Sequence, residues 1–188
     1  MSNAKNEIVK ITITLILFYL IGGAIIVSAY ALTKPVIDKN NAEKKMTVLK
    51  GMIPGAEKVE ALEQWDIADR KADIFKVSSS SGELLGYVVE SYGKGYSGFI
   101  HTMVAVDEAQ KITNITILGH SETPGLGDGV EVPEWQKQFF GKDLENMEVV
   151  KRPGTDKIQA ISGATISSRA VVNAQRDALA YLSKALQK

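Results

Sequence analysis

The feature that most constrains this chain is an uncharged apolar run from Ile11 to Leu32, with Lys10 and Lys34 just outside it. About 22 residues at a rise of roughly 1.5 Å each form a helix of about 33 Å, enough to cross a hydrocarbon core of about 30 Å. The Ile, Leu, Phe and Val side chains of the run together favour insertion by about 5 kcal/mol. The run therefore predicts a transmembrane helix over residues 11–32, preceded by a flank, residues 1–10.

A cleaved signal peptide is the alternative, because Ala29-Tyr30-Ala31 has the small-x-small pattern of a cleavage site. The apolar core of a signal peptide usually has about 7–15 residues, fewer than this run, so the length favours a retained anchor. Lysines lie on both sides of the run. The distribution of positive charge therefore does not assign the orientation of the span.

Composition excludes several classes of function. The chain has 188 residues with 22 Lys and Arg against 22 Asp and Glu, so no net positive field would gather nucleic acid, and no nucleic-acid partner is expected. Without cysteine the chain cannot form a disulfide, ligate an iron–sulfur cluster or use a thiol nucleophile. His101 and His120 lie in separate segments without a third nitrogen or sulfur ligand, so no transition-metal site is expected. A redox function would therefore need a bound organic cofactor.

The segments just beyond the span are mostly charged. Apolar residues at helical spacing predict a stalk helix over residues 33–55, with Pro35 in its first turn and an end near Pro54-Gly55. Residues 56–72 are mixed in character and predict a loop or a short hairpin. The globular domain is expected over residues 56–188.

The pattern within this domain is typical of an α+β fold. Short β-branched segments divided by turn residues predict an antiparallel meander of four strands, at residues 74–77, 84–90, 99–106 and 112–118. A short helix is predicted at 135–140 and a long one at 166–186, where alanine recurs every four residues. We therefore expect a transmembrane helix followed by one domain with an antiparallel sheet and helices.

Gly93 to Gly98 matches G-x-G-x-x-G, a fingerprint of dinucleotide-binding folds. That site needs a helix after the glycines, so that the pyrophosphate meets the helix N-terminus. A strand is predicted here instead. The segment therefore predicts a glycine-rich hairpin connection.

A polar loop runs from His120 through Glu122, Thr123 and Leu126 to Gly127. It contains Pro-Gly, and its residue types fit a plain turn as well as one wall of a binding site. The residues alone leave both interpretations open.

Ser162-Gly163-Ala164-Thr165 leads from a strand-like segment into the last helix. This places the Thr165 hydroxyl near a first helical turn, where free backbone N–H groups and the helix dipole favour a phosphate. Alternatively, Ser162 or Thr165 serves only as an N-cap, worth about 1 kcal/mol. The spacing is compatible with both.

The anchor, the loop from Glu122 to Gly127, and Ser162 to Thr165 occur in an order that resembles the FMN-binding domain family, as does Tyr96 to Ile100. Within it, the chain is similar to the G subunits of Rnf electron-transport complexes and, as siblings, the C subunits of sodium-translocating NADH:quinone reductases. The resemblance implies an FMN joined through its phosphate to the Thr165 hydroxyl by a dedicated flavin transferase. It also implies a set of residues around the cofactor, namely Ser162, Gly163 and Ala164 at the phosphate and His120, Glu122, Thr123, Leu126 and Gly127 against the flavin.

The same resemblance implies a place and partners. The domain would lie on the outer face of the plasma or inner membrane, periplasmic or extracellular, as an electron-carrier subunit without complete activity of its own. Its partners would be the other membrane subunits of an Rnf-type complex, which couples electron flow between reduced ferredoxin and NAD to sodium or proton movement.

Gln159 departs from the family pattern, since members often carry an acidic residue three positions before the serine. This departure favours an alternative function, a flavin-free, membrane-anchored scaffold or ligand-binding module. A third possibility is a flavin reductase that binds its cofactor without a covalent bond.

Overall fold

The computed structural model describes residues 2–152, 154 and 156–187, and within them one helix is long and apolar enough to cross a membrane. This helix, α1, extends over Ser2–Met52 and includes the whole uncharged run. Large apolar side chains along it are exposed, among them Phe18 at 72% and Leu32 at 79%. Such a surface is stable in lipid and unfavourable in water, as in a single-pass anchor.

The stalk predicted over residues 33–55 is not a separate helix. Pro35 lies inside α1 rather than in a first turn, and α1 ends at Met52, before Pro54-Gly55. The chain forms two compact units, Met1–Lys45 and Met46–Lys188. The second unit begins before residue 56 because Leu49 and Met52 pack into its core.

A five-stranded antiparallel sheet with its strands in sequence order forms the base of the unit Met46–Lys188. The strands are β1 (Lys58–Ile67), β2 (Arg70–Ser78), β3 (Leu84–Lys94), β4 (Phe99–Val106) and β5 (Ile112–Gly119). The last four confirm the predicted meander. β1 and β2 form a hairpin where the sequence predicted either a loop or a short hairpin. Its turn residues Ala68 and Asp69 have φ of 52° and 57°.

The elements after the sheet are shorter, apart from the last. They are a 3₁₀ turn (Gly127–Glu131), α2 (Pro133–Gln136), two further 3₁₀ turns (Lys137–Phe139 and Leu144–Asn146), the parallel pair β6 (Val149–Val150) and β7 (Ile158–Gln159), and α3 (Thr165–Ala185). The short helix predicted at 135–140 is thus α2 with the 3₁₀ turn that follows it. The predicted final helix is α3, and the α+β fold class is confirmed.

Each face of the sheet has its own apolar core, because side chains alternate across a strand. On one face Val89, Val104 and Ile115 pack with Val171 and Leu179 of α3. The other face buries Val88 and Met103 with the last turn of α1. The first core fixes α3 against the middle of the sheet.

β3 and α3 approach each other closely at Gly93. A Cβ atom at this position would lie 2.6 Å from the backbone carbonyl carbon of Ala170. Nearby, the buried Ser91 hydroxyl donates to the Ala174 carbonyl over 2.8 Å. This contact holds the first half of α3 beside the end of β3, where the β3–β4 connection begins.

Candidate functional site

A cavity of about 360 Å³ lies where three segments meet: the β3–β4 connection, the loop after β5 and the start of α3. Small-molecule sites typically measure about 300–1,000 Å³. The residues that line it are Tyr96, Glu122, Thr123, Leu126, Gly127, Gly163, Ala164, Ile166 and Ser167. The size and lining suit an organic ligand with a flat apolar part.

The β3–β4 connection forms one wall. Lys94 and Phe99 are the last paired residues of the two strands, and the Gly95 N–H donates to the Gly98 carbonyl over 2.8 Å. The G-x-G-x-x-G segment is therefore a hairpin connection, as predicted. Tyr96 lies in it, with a side chain that is 73% exposed and borders the cavity.

Glu122 connects the three segments. Its side chain is only 5% exposed. The carboxylate accepts hydrogen bonds from the backbone N–H of Tyr96 at 3.2 Å, from that of Ser97 at 3.0 Å, and from the Ser167 hydroxyl in the first turn of α3. One buried side chain thus joins the hairpin, its own loop and the helix.

Two glycines leave the space that this carboxylate occupies. A Cβ atom at Gly95 would lie 2.5 Å from Glu122 Oε1, and one at Gly127 would lie 2.7 Å from both Glu122 Oε2 and Ser167 Oγ. Glycine is needed here because of close approach to a fixed group. Glycine at both positions is therefore required for the Glu122 carboxylate to occupy its place.

The pKa of Glu122 lies below its ordinary value. Burial raises it, but the hydrogen bonds from the Ser167 hydroxyl and from the Ser97 and Tyr96 N–H groups lower it by more in total, and His120 contributes in the same direction. Hydrogen bonds donated to a carboxylate stabilise its charged form. At neutral pH the group is therefore an anion.

This pKa makes the stability of the unit depend on pH. Because the folded-state pKa is below the unfolded-state value, the carboxylate stabilises the fold fully above about pH 4.5, and this contribution is lost as the pH falls through the folded-state pKa. Glu122→Gln should therefore lower the free energy of unfolding at pH 7, and the difference from the unaltered chain should shrink on acidification below pH 4.5.

Denaturant titration of the full chain in detergent at several pH values measures this difference. Glu134→Gln is the control, because its side chain is 77% exposed. A difference for Glu122→Gln that stays constant down to pH 3 would contradict the assignment.

His120 lies behind the loop and is not among the residues that line the cavity. Its Nδ1 accepts a hydrogen bond from the Glu122 backbone N–H over 3.1 Å, and its Nε2 lies 3.2 Å from Glu131 Oε1. The ring supports the backbone at Glu122.

α3 begins at Thr165, and its N-cap residue is Ala164, with no hydrogen bond from a side chain at the cap. The interpretation of Ser162 or Thr165 as the N-cap is therefore wrong. The Ser168 hydroxyl joins the loop to the helix instead, since it accepts from the Ile161 N–H and donates to the Ala164 carbonyl, both at 2.9 Å. The Thr165 hydroxyl is consequently not used as a cap.

The structure brings most of the predicted site residues together. Six line the cavity: Glu122, Thr123, Leu126, Gly127, Gly163 and Ala164. Half-buried Thr165 and exposed Ser162 flank this wall. Sequence reasoning did not assign Tyr96, Ile166 or Ser167 to the site, although Tyr96 lies in a segment quoted for the resemblance.

A second cluster of titratable groups lies on β3 and β4, away from the cavity. The Glu90 carboxylate is 3% exposed and lies 2.5 Å from His101 Nε2. Tyr92 stacks on His101 with ring centroids 4.3 Å apart. Burial and the neighbouring Glu90 raise the pKa of Tyr92 to about 12, so the phenol is neutral at physiological pH.

Comparison with known proteins finds one family profile and several relatives that are similar to this chain. Residues 95–180 match a family profile described as FMN-binding domain. The chain is 33% identical, over 97% of its length and 98% of the relative's, to the G subunit of an ion-translocating oxidoreductase complex of Methanosarcina acetivorans. It is 31% identical, over 93% of its length and 91% of the relative's, to the G subunit of a proton-translocating ferredoxin:NAD(+) oxidoreductase complex of Clostridium ljungdahlii.

A solved structure shares the fold. The crystal structure of Shewanella oneidensis NqrC superposes with a TM-score of 0.53 and 32% sequence identity. The superposition covers 68% of this chain and 65% of that one, just under two thirds of its length.

Proposed function

We propose that this chain, which belongs to the FMN-binding domain family and within it to the G subunits of ion-translocating oxidoreductase complexes, is a membrane-anchored electron carrier with FMN esterified to Thr165. The observation that carries this proposal is the position of Thr165 as the first residue of α3, at the edge of a cavity that the matched family profile covers. FMN supplies reversible one- and two-electron transfer, which the side chains of a cysteine-free chain lack.

The lining of the cavity supports a fit to FMN. Tyr96, Leu126 and Ile166 are 73%, 49% and 50% exposed and offer apolar surface to a flat ring. At the other end, the first N–H groups of α3 have no carbonyl partner within the helix and suit a phosphate. Gly163, with φ of 78°, makes the turn that brings this helix end to the cavity.

A covalent bond at Thr165 is chemically reasonable. The threonine hydroxyl forms a phosphoester when it displaces the AMP leaving group of a flavin dinucleotide on a transferase, and the hydroxyl proton is lost. The ester holds the cofactor by its tail and leaves the ring free. It also makes occupancy independent of the concentration of free FMN.

Gln159 is relevant to the attachment of FMN, because it lies in the segment before Thr165. Its backbone is held in β7, where its N–H donates to Gln138 Oε1 and its carbonyl accepts from Trp135 Nε1, both at 2.8 Å. The loop before α3 is thus fixed independently of the side chain at position 159. We infer that glutamine here leaves the shape of the site intact and affects only recognition by the transferase.

The names of the relatives support the proposed partners, and the resemblance to the family suggests the orientation. Their names describe members of ion-translocating oxidoreductase complexes, some specified as ferredoxin:NAD(+) oxidoreductases. We propose that the other membrane subunits of such a complex exchange electrons with this chain, that the complex moves sodium ions or protons, and that the unit Met46–Lys188 lies on the outer face of the membrane.

The test uses the full chain produced with and without a flavin transferase. With the transferase, the intact mass should increase by one FMN less one water, and the denatured band should fluoresce under ultraviolet light. Yellow colour that is released on denaturation would support noncovalent binding instead. A dark, unmodified chain that assembles into an active complex would support the scaffold function and contradict the proposal.

A further inference from the structure

We propose that Glu122 lowers the reduction potential of the flavin site, because its buried negative charge opposes the gain of negative charge on reduction. This inference rests on the proposed function, since it concerns the same cavity. The residue would act without contacting substrate: it is a positioning and tuning residue. Three properties of its carboxylate support this role: its position at the cavity wall, the neutral groups that donate hydrogen bonds to it, and its fixed orientation.

The Glu122 carboxylate lies in the cavity wall and is largely shielded from water. Glu122 is 5% exposed and lines the same cavity as Leu126, Ala164 and Ile166. A charge that is shielded from water exerts a stronger field on its neighbours than the same charge at the surface. A ligand in this cavity therefore experiences the carboxylate directly.

The groups that donate hydrogen bonds to the Glu122 carboxylate are electrically neutral. The three donors to the carboxylate are two backbone N–H groups and the Ser167 hydroxyl. Within residues 2–152, 154 and 156–187, no lysine or arginine forms an ion pair with it. The ring of His120 accepts from the backbone N–H of Glu122, and its other nitrogen faces Glu131. The carboxylate therefore remains negatively charged at the cavity wall, and His120 adds an electrostatic interaction that also lowers its pKa.

The fixation keeps this charge at a constant distance from the ligand. Both carboxylate oxygens accept hydrogen bonds, and the chain passes them closely at Gly95 and Gly127. These contacts hold the carboxylate in one orientation. Reduction adds electrons to a flavin, so a fixed anion nearby disfavours the reduced form and moves the midpoint potential to more negative values.

Three variants of the flavin-loaded full chain in detergent test the inference by spectroelectrochemical titration. Glu122→Gln removes the charge and should shift the midpoint potential to more positive values. Glu134→Gln removes the same charge from an exposed position and should leave the potential unchanged. Ser167→Ala keeps the charge but removes a donor that disperses it, and should shift the potential to more negative values.

A positive shift for Glu122→Gln together with a negative shift for Ser167→Ala supports electrostatic tuning, and the reverse pair of signs overturns it. Shifts of the same sign would mean that both variants merely distort the site, and an unchanged potential in Glu122→Gln would also overturn the inference. If Glu122→Gln takes up no flavin, Ser167→Ala decides: a negative shift supports the inference, and no shift or a positive one overturns it. If Glu122→Gln carries flavin and its midpoint potential is unchanged, the inference fails and the proposed function stands. If the wild-type chain accepts no flavin, both the inference and the proposed function are contradicted.

Discussion

Thr165→Ala should abolish covalent flavin, from one FMN per chain to none, in protein produced with a flavin transferase. In the proposed function, the hydroxyl of Thr165, the first residue of α3, provides the oxygen of the phosphoester. In-gel fluorescence and intact mass measure the loss. The fold should be retained, because the hydroxyl of Thr165 does not cap the helix.

Two controls make this result specific. Ser162→Ala removes an exposed hydroxyl from the same loop and should leave labelling unchanged. Thr165→Ser restores a hydroxyl at the same position and should restore labelling at least in part. The hydroxyl of Ser167 donates a hydrogen bond to Glu122, and that of Ser168 donates one to the Ala164 carbonyl. Neither serine should therefore replace Thr165 as the site of attachment. Full labelling of Thr165→Ala would contradict the assignment.

Gly93→Ala should strongly destabilise the unit Met46–Lys188. The added methyl group would overlap the backbone of Ala170, which is held in α3 and cannot move like the end of a flexible side chain. Overpacking typically costs about 1–3 kcal/mol, and a clash with backbone belongs at the upper end or beyond, so we expect a loss of about 3 kcal/mol or more.

Denaturant titration followed by tryptophan fluorescence measures this loss, since Trp65 and Trp135 are both buried in the core beside α3. Gly98→Ala is the matched control in the same hairpin, because its nearest heavy atom would be the Ser121 Cβ at 3.9 Å. Equal stabilities of the two variants would show that α3 can separate from β3 at little cost.

The sequence predicts those parts of the fold in which periodicity and burial agree. The strands β2 to β5 are short segments with β-branched residues between turn residues, and α3 has a regular row of alanines. β1 was not predicted as a definite strand, because it is an edge strand with a mostly exposed, charged sequence. The two-residue strands β6 and β7 are too short to leave any periodic signal.

The candidate site could be predicted only in part, because some of its contacts join segments that are far apart in the sequence. The residues that approach the cavity from the loop after β5 and from the start of α3 stand in short motifs, so resemblance suggests them together. The hydrogen bonds of Glu122 reach Ser97 and Ser167, which lie 25 and 45 residues away in the chain. Their meeting depends on the packing of α3 on β3, and no local pattern encodes it.

The packing of the last turn of α1 determines where a soluble fragment can begin. Leu49 and Met52 of this turn, with Ile53 just after it, cover Val88 and Met103 on the second face of the sheet. A truncation at residue 56 would uncover this apolar surface and invite aggregation. A fragment that begins at Met46 omits the lipid-exposed part yet keeps the cover, and is the better starting point for crystallisation and electrochemistry in the absence of detergent.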